Sequence, residues 1–391
     1  MRKTAAVLAG LACLSFSDVT AAAEPKAPAA VASVLFWNQH QKEQGFPHME
    51  DQFAVHTVKR GAHVHPLPVG KPLTLKVRQG ATSDSIDNFM ADQKMSGLLV
   101  IQNGRVRLEK YALGYGEKGR WTSFSVAKSF TSTLVGAAVK DGYIKSLSDP
   151  VTNYIPGLKG SAYEGVSVRQ LLTMTSGVKW NEDYTDPKSD VALFSLIQPA
   201  PGEDATVAYM KQLPREAEPG KTWVYKTGET NLIGVLVTSA THKSLSDYLT
   251  EKVWSNYGME QDAVWMIDPR GQEVGGCCLS VSLRDYGRMG VFLLGGAKVK
   301  GQPIVPQTWL AEATHKQADI GAPGHGYGFQ WWTNDDGTYD ARGIFGQMIH
   351  IDPKRQLVVV INSAWPKATD PVRNIARQAL LDSIARAVDR K

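Results

Sequence analysis

Apolar and polar positions divide the 391-residue chain into helical and strand-like stretches. Ser85 to Lys94 carries a helical pattern, after which Gly97–Gln102 and Arg105–Tyr111 read as strands joined by Asn103-Gly104, the dipeptide of a tight hairpin. A polar entry, Thr122-Ser123-Phe124-Ser125, then runs into a helical stripe of Phe130, Leu134, Ala138 and Val139. From Asp149-Pro150-Val151 onward the pattern is helix and loop. There Leu171, Leu172 and Met174 mark a buried helix with Gly177 as its positive-φ stop, and Leu232–Ala240 marks another. Past a helix at Ser282–Leu294, strand patterns return at Tyr327–Trp332, Gly343–Pro353 and Leu357–Asn362. Strands from both ends of the chain with helices between them predict an α+β fold. It would hold one antiparallel sheet flanked by helices, a mostly helical subdomain at about residues 146–274, and a site in the cleft between them.

The first 80 residues read differently. Met1-Arg2-Lys3, the apolar run Ala5–Phe16 and Ala21-Ala22-Ala23 fit a secretory signal peptide, residues 1–23, cleaved before Glu24. That run is too short to span a bilayer, so the mature protein is expected to be periplasmic or secreted, without stable membrane insertion. Residues 24–80 form an N-terminal extension of scattered aromatics and prolines, and residues 81–391 form the main domain, with regular structure beginning near Ser83.

Charge narrows the partners. The formal net charge is +5, and loss of Arg2, Lys3 and Asp18 with the leader lowers it by one. The basic residues are scattered, so neither nucleic acid nor a membrane surface is an expected partner, and a small molecule is. Only Cys277 and Cys278 follow the leader. Adjacent Cα atoms lie about 3.8 Å apart, below the usual disulfide span, so the two are expected to stay unpaired. His63 and His65 lack a clear third ligand, and neither metal nor cofactor is expected. The oligomeric state is left open.

Candidate chemistry gathers at Ser125-Val126-Ala127-Lys128. Residues three apart on a helix are neighbours, so the Lys128 ammonium can reach the Ser125 hydroxyl. The first helical turn also leaves backbone N–H groups free to hold an oxyanion. A lysine in a helix that otherwise reads as buried calls for a reason. His350, Asp352 and Ser363 offer a rival Ser-His-Asp set, but no G-x-S-x-G elbow accompanies them and Asp352-Pro353 reads as a strand-ending turn.

With this S-x-x-K motif, the order and spacing of Tyr225 and Gly343 and the stretch Val168–Gly177, residues 80–391 resemble the serine β-lactamase and penicillin-recognising hydrolase superfamily. The loop Trp180–Asp190 resembles most the 6-aminohexanoate-dimer hydrolase branch, which implies that Tyr184 approaches the substrate. Tyr225 stands where the superfamily has the tyrosine of its Y-x-N motif, with Thr227 in place of the asparagine. Lys226-Thr227-Gly228 spells that superfamily's K-T-G, but a helix follows, so the match is read as coincidence. Ala341-Arg342-Gly343 occupies the K-T-G place instead, and Gly343 would let substrate lie along the strand. The lysine is replaced by Ala341, and Arg342 is expected to point to the opposite sheet face.

The resemblance implies a β-lactamase/transpeptidase-like fold and a serine hydrolase that cleaves a small-molecule amide or ester through an acyl-enzyme, without cofactor. Ser125 would be the nucleophile, Lys128 or Tyr225 the base, and the N–H groups of Ser125 and Ile344 the oxyanion donors. Tyr184, Thr227 and Gly343 would bind substrate. Without a cation opposite their carboxylate, β-lactams are expected to be poor substrates. The alternatives are a β-lactamase, a D-alanyl-D-alanine carboxypeptidase-type enzyme and a non-catalytic binder of cell-wall fragments; loss of Ser125, Lys128 or Tyr225 would mark the binder, and all three are present.

Overall fold

Asn103 and Gly104 both take positive φ, +51° and +69°, and close the hairpin between strands Met95–Gln102 and Arg105–Tyr111. This hairpin forms one edge of a seven-stranded antiparallel sheet. The remaining strands, from that edge outward, are Leu357–Ser363, Met348–Asp352, Tyr339–Arg342, Trp332–Asn334 and His325–Tyr327. The computed structural model describes residues 31–79 and 82–390, and the leader expected at residues 1–23 lies outside the described residues.

Alternation along these strands builds two cores. Leu98, Val100, Val359 and Ile361 face the C-terminal helix Pro371–Val388 and the helix Ile86–Asp92. Leu99, Ile101, Val358 and Val360 face the main core, with the helices Leu283–Leu294 and Ala127–Lys140. The latter, which follows Ser125, is buried from Ala127 to Ala138, so it runs through the molecule rather than along its surface. It packs against the helix Thr227–Thr241 from the segment 146–274, which is mainly helical but also supplies the strand Ala263–Met266.

Regular structure begins earlier than expected. The helix Gln39–Gly45, with Asn38 as its N-cap, leads into Phe46, whose ring lies 4.9 Å from Phe124 and 5.5 Å from Phe345. Strand Val55–Val58 then joins a four-stranded sheet with Ala263–Met266, Leu279–Val281 and Trp121–Thr122. Short elements with little periodicity hide this role in the sequence. Val34, Phe46, Met49, Phe53 and Val58 of the extension belong to the main core, beneath the turn that carries Ser125.

Three local expectations change. The helix Val168–Leu172 is capped by Thr173 and followed by Met174 at φ +55°, so it stops before Gly177 is reached. Gly177, at φ +75°, serves a close approach instead: a Cβ there would meet Ala217 O at 2.0 Å. Gly328–Trp331 leaves the sheet, and Gln330, at φ +63°, turns into the core to bond Leu172 O and Thr230 Oγ1, both at 2.7 Å. The sulfurs of Cys277 and Cys278 come within bonding distance as a vicinal disulfide, against the expectation of two unpaired thiols. The Cα atoms stand 3.7 Å apart, as adjacent residues must, so the pairing lies within a local turn of the backbone, where Cys278 takes φ +70°.

Candidate active site

Ser125 sits in a 3-10 turn, Phe124–Val126, that feeds the helix Ala127–Lys140. Phe124 is held at φ +43°, a conformation costly for a bulky residue and kept by the packing of Phe46 and Phe345 on its ring. Helical spacing then places Lys128 beside Ser125: Nζ donates to Ser125 Oγ at 3.0 Å, Thr227 Oγ1 at 3.0 Å and Gly276 O at 2.8 Å. Gly276 is itself fixed by its N–H, which donates to Asn231 Oδ1 at 2.8 Å. Lys128 is 1% exposed. Among the described residues no carboxylate lies within ion-pair distance of it. Burial lowers its pKa to about 8, against a smaller opposing pull from Glu182.

Tyr225 lies over this group, its ring 5.1 Å from Lys128 Nζ and stacked on Trp332 at 5.5 Å. Burial and the Glu182 charge push its phenol well above the ordinary tyrosine value, and a hydrogen bond with Ser125 opposes them only in part. The phenol is therefore held protonated. Tyr184 donates to Glu182 Oε1 at 2.7 Å, and burial with that carboxylate raises its pKa too.

Glu182 is the residue that sequence reasoning missed. It accepts from Thr227 N at 2.9 Å, from the Thr227 hydroxyl, from Tyr184 and from the Trp180 indole. The loop Trp180–Asp190 carries four carboxylates, and nothing in its pattern says which one turns inward.

Ser125, Tyr184, Thr227 and Ile344 meet around a cavity of about 40 Å3, which shares Tyr184 and Ile344 with a larger one of about 650 Å3. The larger volume is within the range for small-molecule sites. The Ile344 N–H has no acceptor among the described residues, while its carbonyl accepts from Thr369 N at 2.7 Å. Gly343 lies in the turn after strand Tyr339–Arg342, not along a strand. A Cβ at this position would meet Ser123 O at 2.8 Å, so the glycine admits the backbone that leads to Ser125, and it also lines the larger cavity. All seven residues singled out in the sequence thus converge on one cleft.

Arg342 corrects another expectation. Ala341 is the residue turned into the main core, at 1% exposure, and Arg342 lines the larger cavity. Strand alternation holds but its phase is opposite to the one assumed. Arg342 Nε donates to Asp340 Oδ2 at 3.0 Å, and the guanidinium lies 5.3 Å from the Trp332 ring. The cleft therefore does contain a cation. The rival triad does not assemble: His350 Nδ1 bonds Asp340 at 2.6 Å and Asp352 pairs with Arg355. Lys226 lies at the start of a helix, paired with Glu229 at 3.8 Å, and not on a strand.

A family model described as beta-lactamase matches residues 83–382. The 6-aminohexanoate-dimer hydrolase of Paenarthrobacter ureafaciens is 30% identical over 307 residues, 74% of this chain and 78% of the relative. Among solved structures, a Bacillus anthracis protein described as a 6-aminohexanoate-dimer hydrolase superposes with a TM-score of 0.78 at 24% identity, covering 89% of this chain and 94% of that one. A class C beta-lactamase from Rhodobacter sphaeroides gives a TM-score of 0.56 at 18% identity, over 76% of this chain and 97% of its own. These two structural likenesses speak for the fold, which is β-lactamase/transpeptidase-like. The chain belongs to the beta-lactamase family and is a serine hydrolase.

Proposed function

We propose that the protein hydrolyses linear amides and esters of small molecules through an acyl-enzyme on Ser125, with Lys128 as general base. The observation that carries this is the buried Lys128 amine, 3.0 Å from the Ser125 hydroxyl and without a carboxylate partner among the described residues. With a pKa of about 8, a useful fraction of that amine is neutral near neutral pH. Neutral Lys128 takes the Ser125 proton as Oγ bonds the substrate carbonyl carbon. The N–H groups of Ser125 and Ile344 hold the oxyanion. Tyr225, protonated in its buried setting, gives its proton to the leaving nitrogen or oxygen and regains one from the Lys128 ammonium as the carbon–leaving group bond breaks. Water then attacks the acyl ester, releases the acid and restores Ser125.

The linear substrate class rests on the named relative that acts on a 6-aminohexanoate dimer and on the aromatic walls of the cleft, Tyr184, Tyr225 and Trp332, which suit a methylene chain. A second reading, hydrolysis of β-lactams or D-alanyl peptides, is favoured by Arg342, a guanidinium that lines the larger cavity while paired with Asp340. The test is kcat/KM for nitrocefin, p-nitrophenyl butyrate and a linear aminohexanoate dimer. Faster turnover of the ester and the dimer is expected, and faster turnover of nitrocefin would move the assignment to a β-lactamase. Residues 1–23 support a further proposal, export as a periplasmic or secreted protein, for which the mature N-terminus should be Glu24.

A further inference from the structure

The hydrogen bonds around Lys128 have a direction that Glu182 sets. A neutral amine has two N–H donors and one lone pair, and catalysis needs that lone pair on Ser125. Gly276 O can only accept, so it takes one N–H, at 2.8 Å. Thr227 Oγ1, at 3.0 Å, could either accept from the amine or donate to its lone pair. An ionised carboxylate can only accept, and Glu182 Oε1 holds the single Thr227 hydroxyl proton. Thr227 is thereby left as an acceptor toward Lys128, both N–H groups are committed, and the lone pair faces Ser125. Glu182 is held in turn by Thr227 N at 2.9 Å, by Tyr184 OH at 2.7 Å and by the Trp180 indole.

We infer that Glu182 is a positioning residue for the hydrolase reaction, acting through the Thr227 hydroxyl to direct the Lys128 lone pair at Ser125. This rests on the assignment of Ser125 and Lys128 made above. It also accounts for the threonine at residue 227, where the superfamily's motif has asparagine. A carboxamide brings its own fixed acceptor oxygen, whereas a hydroxyl must be told which way to point. The Glu182 charge has a second effect, since it favours the charged form of Lys128. The other groups facing the amine are Ser125 and the Tyr225 phenol. Arg342 stands elsewhere on the larger cavity's wall, and Lys226 is paired with Glu229 in the buried start of the helix Thr227–Thr241.

The test is a double-mutant cycle in the full chain, with p-nitrophenyl butyrate turnover read across pH. Glu182→Gln should lower kcat about tenfold or more, because the amide can donate to Thr227 and reverse the chain. Its base limb should also move to lower pH. In a Thr227→Asn background, where the carboxamide oxygen accepts from Lys128 unaided, the same change at Glu182 should cost little. Equal losses in both backgrounds, an unmoved limb or an unchanged kcat would overturn the inference. If Glu182→Gln does not fold, Thr227→Ser should keep most activity while Thr227→Val loses it, and equal activity of those two would overturn it as well. A parallel Ser125→Ala arm separates the failures, since full activity there removes the nucleophile assignment itself.

Discussion

An amine fully enclosed beside a hydroxyl is expensive to keep charged, and Lys128 pays that cost within the folded state. Its pKa of about 8 lies below the 10.5 of a free lysine, so between those values the unfolded chain binds the proton more tightly. Stability therefore rises with pH across that window and is insensitive to this group below it. Relative to Lys128→Met, the wild type should gain about 3 kcal/mol between pH about 7 and about 11 in urea denaturation. A constant difference would mean that the amine is not desolvated. Tyr225 belongs to the opposite limb of the chemistry. Tyr225→Phe should cost about a hundredfold on a linear amide, whose amine must leave protonated, but much less on a p-nitrophenyl ester, whose phenolate needs no proton. Equal losses on both would remove the acid role. Ser125 and Lys128 were legible because helical spacing alone makes them neighbours. Glu182 was not, because its partners, Thr227 and Tyr184, come together only in the fold.

At the scale of elements, periodicity located the hairpin at Asn103-Gly104 and the buried helix after Ser125, since both signals are local. It could not set the phase of Tyr339–Arg342, where three of four positions are buried and no alternation shows which face holds the cleft. That ambiguity is why Arg342 was assigned to the wrong side. The extension was opaque for a different reason. Phe46 matters through rings at Trp121, Phe124 and Phe345, far away in sequence. The turn after Tyr339–Arg342 yields a direct expectation: Gly343→Ala would press a methyl on the fixed Ser123 carbonyl and shift the Ile344 N–H. A fall in kcat of about tenfold or more, with the fold kept by circular dichroism, is expected, and wild-type kcat would show that this N–H does not hold the oxyanion.

For the whole molecule, the cleft exists because three separate parts of the chain close on one another. The sheet brings Gly343 and Ile344, the buried helix brings Ser125 and Lys128, and the segment 146–274 brings Glu182, Tyr184, Tyr225 and Thr227. No helix among the described residues is long and apolar enough to cross a membrane. Everything in the proposed chemistry depends on Ser125 being activated by a neutral Lys128. The most direct measurement is the rate of labelling by a fluorophosphonate against pH, in the wild type and in Lys128→Ala, with the adduct located by peptide mass. The added mass should sit on the peptide containing Ser125, form at a rate that rises through pH about 8, and be nearly lost in Lys128→Ala. An adduct on another serine, or a Lys128→Ala protein labelled at the wild-type rate and pH profile, would contradict it.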